Sequence, residues 1–93
     1  MIVGYARVST ADQSLDVQMD ELTAHGCERI FQDQASGTSR ARAGLVEMLQ
    51  FVREGDTIVV SRLDRFARSL TDLFQLLDEL SRKGVAFQCV HQS

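Results

Sequence analysis

The sequence predicts an α/β domain with a mostly parallel four-stranded sheet and helices on both faces. Strand-like and helix-like segments alternate along its 93 residues, which contain no proline, no internal repeat and no low-complexity stretch. Such alternation is typical of parallel strands joined by right-handed crossovers. We therefore expect one domain, 1–93, which buries roughly 60–70% of the surface that the unfolded chain exposes.

An apolar strand opens the chain at residues 2–8, and its apolar side chains on both faces are typical of a central parallel strand. A helix follows, with Leu15, Met19 and Leu22 on one face and a C-cap expected near Gly26. These two segments form the first strand–helix unit of the predicted sheet.

A short strand at 27–31 and a polar segment at 32–44 come next. The segment has Ser36-Gly37-Thr38-Ser39 at its centre, which predicts a long mobile loop. A second helix, which stops at Gly55, shows apolar residues at positions i, i+3, i+4 and i+7. These residues are Leu45, Met48, Leu49 and Val52.

The last third of the chain contains the clearest signals. Residues 57–61 predict a buried third strand, and residues 85–90 predict a fourth. Between them, Ser69 is the expected N-cap and Gly84 the expected C-cap of an amphipathic helix. The predicted apolar face of this helix consists of Leu70, Leu73, Phe74, Leu77 and Leu80.

Charge is distributed unevenly along the chain. Ten basic and 13 acidic residues give a net charge of −3 and a pI of about 5.2, whereas a domain that binds nucleic acid over a broad surface is usually basic. Arg40 and Arg42 lie close together in the loop, and Arg62, Arg65 and Arg68 fall within seven residues. Local basic clusters on an acidic body predict a phosphate site.

Arg7 and Ser9 are expected on one face at the end of the first strand, because alternate residues of a strand share a face. Arg65 and Arg68 follow the third strand, whose carboxyl end lies at the same edge of the sheet. Unassisted serine is a poor nucleophile, but arginines stay protonated and bind phosphate through two hydrogen bonds. The set predicts attack of a serine hydroxyl on a phosphodiester without metal; the alternative for Arg7 is a salt bridge.

Plainer structural roles are open to the other residues. Ser9 and Gln13 also fit the start of a helix, where Gln13 would complete a capping box. If a helix begins near Leu63, Asp64 and Arg68 pair at i, i+4 on a solvated first turn. Three arginines so close together repel one another unless an anion lies among them, which favours the phosphate site.

The sequence shows no pattern for a disulfide framework, a metal site or a membrane span. Cys27 and Cys89 are the only cysteines, and neither is spaced with His25 or His91 as metal ligands are. No apolar run approaches the ~18 residues that a membrane span requires, and no signal peptide is visible. We expect a cytoplasmic protein with no cofactor.

Together, the motifs resemble the catalytic domain of the serine site-specific recombinases, the resolvase/invertase family. The residues that carry the resemblance are Tyr5-Ala6-Arg7-Val8-Ser9-Thr10, Gln13, Gln18, Ala35-Ser36-Gly37, Arg42, Gly44, Gly55-Asp56 and Leu63-Asp64-Arg65-Phe66-Ala67-Arg68. They run from end to end of the chain in the family's order and spacing, which is far more specific than any single motif.

The resemblance implies site-specific DNA recombination through a 5′-phosphoserine intermediate. Ser9 would attack a DNA phosphodiester and release a 3′ hydroxyl, which later attacks the phosphoserine and rejoins the DNA. Arg7, Arg65 and Arg68 would activate the phosphate, and Asp64 would handle a proton or orient an arginine. The implied catalytic residues are Ser9, Arg7, Gln13, Asp64, Arg65 and Arg68. The implied DNA- or phosphate-binding residues are Gln18, Ser36 and Arg42.

The resemblance also implies partners: double-stranded DNA, and further copies of the chain as a dimer and then a tetramer. Family members continue into a dimerisation helix and a C-terminal DNA-binding region, whereas this sequence stops at Ser93. We expect a catalytic core that acts within a longer protein; the alternative is an inactive remnant that only folds and self-associates. A receiver-type domain would need acids at the strand ends, where this chain has arginines.

One further departure from the family concerns position 51. Relatives carry a basic residue four positions before the Gly55-Asp56 turn, where this chain has Phe51. The change predicts either a weaker phosphate contact or one that Arg53 supplies.

Overall fold

A computed structural model describes residues 1–9, 15–35 and 42–91. The strands of this part of the chain form one parallel sheet with the order β2-β1-β3-β4. They are β1 (Ile2–Ser9), β2 (Arg29–Ala35), β3 (Thr57–Val60) and β4 (Ala86–Cys89). The helices are α1 (Leu15–Ala24), α2 (Ala43–Phe51) and α3 (Leu70–Lys83), and a 3₁₀ turn (Leu63–Arg65) precedes α3. The predicted four-stranded α/β fold is confirmed.

The first strand lies inside the sheet, as its two apolar faces predicted. It pairs with β2 from Val3 opposite Arg29 to Ser9 opposite Ala35. Its pairing with β3 covers only Ile2–Tyr5. The last residues of β1 therefore extend beyond β3, and the main chain of Arg7 needs other hydrogen-bond partners on that side.

The loop predicted at 32–44 is too long. Gln32–Ala35 continue β2 and pair with the end of β1, and residues 43 and 44 already belong to α2. Because β2 is an edge strand, exposed side chains such as Gln32 and Gln34 are compatible with a paired backbone, so polar composition concealed the strand. Residues 36–41 of the predicted loop lie outside the described residues.

The second strand also begins later than predicted, at Arg29 instead of Cys27. The amide of Cys27 donates to the carbonyl of Leu22 at 3.2 Å, which closes the end of α1. The chain enters the sheet only after this turn is complete.

The helices cover both faces of the sheet. A large core lies under α2 and α3, and its fully buried side chains include Tyr5, Met48, Ile58, Phe66 and Leu80. A smaller core lies under α1, with buried Ala6, Leu22 and Val59. No helix in the described ranges is long and apolar enough to cross a membrane.

The predicted caps of α3 are confirmed, but its predicted apolar face is partly wrong. Ser69 accepts a hydrogen bond from the amide of Asp72 at 3.1 Å, and Gly84 adopts the left-handed conformation with φ of 75°. Leu70 and Phe74 are 71% and 65% exposed, whereas Leu76, which the prediction omitted, is buried. The inward face is centred on Leu76 and Leu80, with Leu73 and Leu77 partly buried against the same core.

Candidate active site

The described site residues lie at the carboxyl edge of the sheet, where β1 and β3 end. Ser9 is the last residue of β1, two residues after Arg7. The segment 61–69 follows β3 across this edge and carries the arginine cluster. The edge predicted from the sequence is therefore the one on which Arg7, Arg65 and Arg68 are found.

The half-buried side chain of Arg7 is surrounded by other cations. Its Nη2 donates to the main-chain carbonyl of Asp64 at 2.5 Å. Burial lowers the pKa of Arg7 from its ordinary value, and the positive charges of Arg42, Arg68 and Arg65 lower it further. Mutual repulsion of this kind is relieved when an anion enters, so the cluster is suited to bind one.

Gln18 holds the main chain of Arg7 in place. Its Oε1 accepts from the Arg7 amide at 3.2 Å, and its Nε2 donates to the Arg7 carbonyl at 3.1 Å. The side chain is 3% exposed and replaces the pairing that β3 no longer provides at this point of β1. Gln18 therefore fixes the main chain at the end of β1, just before Ser9.

Arg65 and Arg68 are positioned by a short 3₁₀ turn and the irregular segment that follows it. Arg65 lies in the turn, and its Nη1 approaches the Arg7 carbonyl at 3.5 Å. Arg68 follows outside any helix, and its amide donates to Asp72 Oδ2 at 2.9 Å. The α-helix considered from Leu63 onwards does not form, so the i, i+4 geometry for Asp64 and Arg68 is absent.

Asp64 lies on the same 3₁₀ turn and is exposed. Its main-chain carbonyl accepts a hydrogen bond from the Arg7 guanidinium. This contact links the segment after β3 to the end of β1, while the role predicted for the carboxylate stays a prediction.

Arg42 is almost enclosed by protein. Its side chain is 10% exposed, Nη1 donates to Asp72 Oδ2 at 3.2 Å and Nη2 donates to the carbonyl of Phe66. Its guanidinium carbon also lies 5.9 Å from the centroid of the Tyr5 ring. Nε of Arg42 is buried without a hydrogen-bond partner among the described residues.

Asp33 and Tyr5 form a buried connection that the sequence reasoning did not assign to the site. The Tyr5 hydroxyl donates to Asp33 Oδ2 at 2.7 Å, and the two carboxylate oxygens accept from the amides of Gly44 and Leu45. Asp33 thus caps α2, because Arg42 at the N-cap position provides no side-chain cap. The sequence analysis missed this role because it predicted a polar loop at 32–44, whereas Asp33 lies on β2.

Asp72 is the second residue that the sequence reasoning missed. Its carboxylate accepts from both Arg42 and the Arg68 amide. A signal was available, since Ser69 and Asp72 have the spacing of a capping box.

Two predicted site residues, Gln13 and Ser36, lie outside the described residues, and the description of Ser9 covers its main chain only. Their predicted roles stay predictions. Within the described ranges, no three histidine, cysteine or acidic side chains are grouped as metal ligands.

The departure at position 51 lies at the opposite edge of the sheet. Phe51 ends α2 and packs against Phe31, with ring centroids 5.5 Å apart. The guanidinium carbon of Arg29 lies 4.6 Å from the centroid of the Phe51 ring. The amide of Arg53 donates to Asp56 in the turn before β3. Arg53, the predicted substitute for the phosphate contact that Phe51 cannot make, therefore lies at the edge of the sheet opposite Ser9.

Sequence comparisons give one consistent family. The family model described as Resolvase, N terminal domain matches residues 2–93. The chain is 48% identical to the Transposon Tn552 DNA-invertase BinR of Staphylococcus aureus and 45% identical to the Serine recombinase gin of Escherichia phage Mu. Both matches cover 100% of this chain and 48% of the relative, so the chain spans about half the length of these curated relatives.

Solved structures agree with the sequence relatives. The C-terminal catalytic domain of ISC1926 TnpA, an IS607-like serine recombinase, has a TM-score of 0.82 at 26% identity and matches 99% of this chain and 68% of its own. A resolvase family site-specific recombinase from Streptococcus pneumoniae has a TM-score of 0.80 at 25% identity, matching 96% of this chain and 70% of its own.

Proposed function

The chain belongs to the resolvase/invertase family of serine recombinases, and on that basis we propose that it cuts and rejoins DNA through the hydroxyl of Ser9. The observation that supports this proposal best is the convergence of four arginines at the end of the strand that carries Ser9. Arg7 and Arg65 are linked there through main-chain contacts, and Arg42 and Arg68 share one carboxylate. DNA presents to such a site a phosphodiester with one negative charge.

The proposed cleavage step forms one bond and breaks one. The Ser9 Oγ attacks phosphorus and loses its proton to a base, while the bond from phosphorus to the 3′ oxygen breaks. That oxygen leaves with a proton as a 3′ hydroxyl, and the 5′ phosphate becomes esterified to Ser9. Rejoining is the reverse reaction, with a 3′ hydroxyl from the exchanged strand as nucleophile, so the ester conserves the bond and no nucleotide cofactor is consumed.

Arginines lower the barrier of this step by stabilising the charge that builds on the non-bridging oxygens. Arg7, Arg65 and Arg68 are the proposed phosphate ligands. At an effective dielectric constant near 20 and a separation of ~4 Å, each contact contributes on the order of 4 kcal/mol before the cost of desolvation. In this proposal Asp64 transfers a proton or orients an arginine.

The remaining predicted residues have supporting roles in the proposal. Gln18 acts through the main chain of Arg7, and Arg42 acts from its enclosed position beside Tyr5. Gln13 and Ser36 are proposed to complete the site from the segments that follow β1 and β2.

The proposed context is a longer protein, for which residues 1–93 serve as the catalytic domain. Recombination requires two DNA sites and four strand breaks, so the proposed active species is a tetramer assembled from dimers on double-stranded DNA. Contacts for dimerisation and specific DNA binding are assigned to segments C-terminal to this domain. Cytoplasmic DNA is the proposed substrate.

Replacing the nucleophile tests the proposal directly. In a full-length recombinase that carries this domain, Ser9→Ala is expected to abolish the covalent protein–DNA adduct, detected by denaturing electrophoresis of labelled site DNA. Ser81→Ala, at an exposed position of α3, is the matched control and should form the adduct at the parental level. An adduct that persists in Ser9→Ala would refute the assignment.

A further inference from the structure

Asp72 joins two arginines of the site at the first turn of α3. One carboxylate oxygen, Oδ2, accepts from Arg42 Nη1 at 3.2 Å and from the Arg68 amide at 2.9 Å. The Asp72 amide donates to Ser69 Oγ at 3.1 Å, which fixes the main chain of Asp72 at the first turn of α3. The helix start is therefore the structural element that relates Arg42 to Arg68.

Arg42 needs this negative charge more than an exposed arginine would. Its side chain is 10% exposed, and removing Asp72, the carboxylate that pairs with it among the described residues, leaves an enclosed cation uncompensated. Arg42 is also the cation that most strongly disfavours the charge of Arg7. The position of Arg42 thus influences the electrostatic free energy of the charged Arg7 side chain.

The main-chain bond to Arg68 has a separate effect. Residues 66–69 lie between the 3₁₀ turn and α3, and the amides of Phe66 and Ala67 donate back to the carbonyl of Leu63 at 3.0 and 2.9 Å. The bond from the Arg68 amide to Asp72 sets the main chain at the point where the Arg68 side chain departs.

We propose that Asp72 is a positioning residue of the recombination site: it holds Arg42 in place and sets the main chain of Arg68, so that both arginines are arranged for the same phosphate. The inference rests on the proposed function and adds to it a residue that touches neither phosphate nor DNA. A carboxylate beside a phosphate site has one alternative role, as a latch that competes with the phosphate for Arg42. The two roles predict opposite changes in anion affinity when Asp72 is replaced: loss of a positioning residue weakens anion binding, whereas loss of a competing carboxylate strengthens it.

The test uses the 93-residue chain and sulfate as the probe, titrated against chloride at constant ionic strength. The Nε–Hε signal of Arg7 in ¹⁵N-labelled protein reports binding, since the described hydrogen bond of the Arg7 guanidinium is to the carbonyl of Asp64, which the substitution leaves in place. The variants are Asp72→Ala, which removes both bonds, and Asp72→Asn, which keeps a neutral acceptor. The control is Asp78→Ala, because Asp78 is on the same helix and pairs with Arg82 at 3.0 Å on the exposed side.

Asp72→Ala is expected to weaken sulfate binding about tenfold, the scale of one hydrogen bond to a charged group. Asp72→Asn should lie between the alanine variant and the parent, and Asp78→Ala should match the parent. If Asp72→Ala does not fold, the Asp72→Asn variant tests the inference by whether its sulfate affinity falls or rises relative to the parent.

Equal or tighter sulfate binding in the Asp72 variants overturns the inference while the proposed function stands. The same holds if Asp78→Ala weakens binding as much, since net charge would then explain the effect. If the parent chain shows no sulfate-dependent change at Arg7, the anion site itself is contradicted, and the proposed function loses its main support together with the inference.

Discussion

Arg7 is the residue through which most contacts of the site pass. Gln18 holds its main chain on one side, and the carbonyl of Asp64 receives its guanidinium. Its lowered pKa records the burial of the side chain and the neighbouring cations. The motif around Ser9 could be recognised in the sequence, but these partners are 11 and 57 residues away along the chain.

Tyr5, two residues earlier on the same face, makes a pH-dependent contribution to stability. It is fully buried, and its hydroxyl donates to Asp33 at 2.7 Å. Burial first, and then this hydrogen bond, raise the pKa of Tyr5 from 10.0 to about 12. The neutral form is therefore favoured in the folded protein.

We expect the folded state to lose about 2–3 kcal/mol of stability between pH 10 and pH 12 through this group. Below pH 10 the contribution is complete, because tyrosine is neutral in the folded and unfolded states alike. Above pH 10 the unfolded state ionises first, so unfolding becomes easier until the folded-state pKa is passed.

Denaturant unfolding at a series of alkaline pH values measures this loss, and Tyr5→Phe should be less stable at pH 8 but show a flatter dependence above pH 10. Tyr5 is the only tyrosine and tryptophan is absent, so absorbance of tyrosinate reports on this residue alone. Ionisation of the folded protein near pH 10 would contradict the prediction.

At the scale of secondary structure, the start of α2 is set by a residue of another element. Asp33 on β2 accepts the amides of Gly44 and Leu45 at 2.7 and 2.9 Å. This arrangement brings the helix against the strand so closely that a Cβ at Gly44 would lie 2.3 Å from the carbonyl oxygen of Gln32. The close contact itself requires a glycine at position 44, because the backbone there has an ordinary helical conformation that any residue can adopt.

Gly44→Ala is therefore expected to destabilise the domain by about 1–3 kcal/mol, the usual cost of overpacking. In an exposed helix the same change would stabilise by up to ~1 kcal/mol, so the sign of the effect is diagnostic. Urea unfolding monitored by circular dichroism provides the measurement.

Ala43→Gly is the matched control for this position, because Ala43 is the exposed neighbour at the first turn. It should cost less than ~1 kcal/mol, the difference in helix propensity. A Gly44→Ala variant as stable as the parent would show that α2 can move away from β2 at little cost.

At the scale of the whole molecule, several arginines of an acidic chain are grouped at one edge of the sheet. The chain has a net charge of −3, yet Arg7, Arg65 and Arg68 gather at the carboxyl edge. Arg29 lies at the amino edge, with its guanidinium 4.7 Å from the ring centroid of Phe31. DNA should therefore meet a small positive area on an acidic body.

We expect the affinity of the chain for duplex DNA to fall with salt at a logarithmic slope of about −3, as for three neutralised phosphates. Arg68→Gln should make the slope shallower by about one, because one phosphate contact is lost. Arg29→Gln removes the same charge at the other edge and should leave the slope unchanged.

Fluorescence anisotropy of a labelled duplex between low and moderate salt measures these slopes. If both arginine variants change the slope equally, DNA is attracted by overall charge and not by the carboxyl edge.

The sequence alone determined the order of strands and helices, the central place of β1 and both caps of α3. These features depend on the spacing of apolar residues, on the conformational freedom of Gly84 and on the hydroxyl of Ser69. Each of these acts on residues that are close by in the sequence. The family motifs also placed Arg7, Arg65 and Arg68 at one edge, because parallel strands end together.

Only the tertiary structure decided how far β2 extends and how the site is braced. Gln32, Asp33 and Gln34 are polar, and they form part of a strand because their backbone pairs with that of β1. Gln18, Asp33 and Asp72 look in the sequence like ordinary polar residues of a helix or loop, and each has a partner 11 to 30 residues away along the chain. Contacts of that separation depend on how helices pack on the sheet, which local periodicity does not encode.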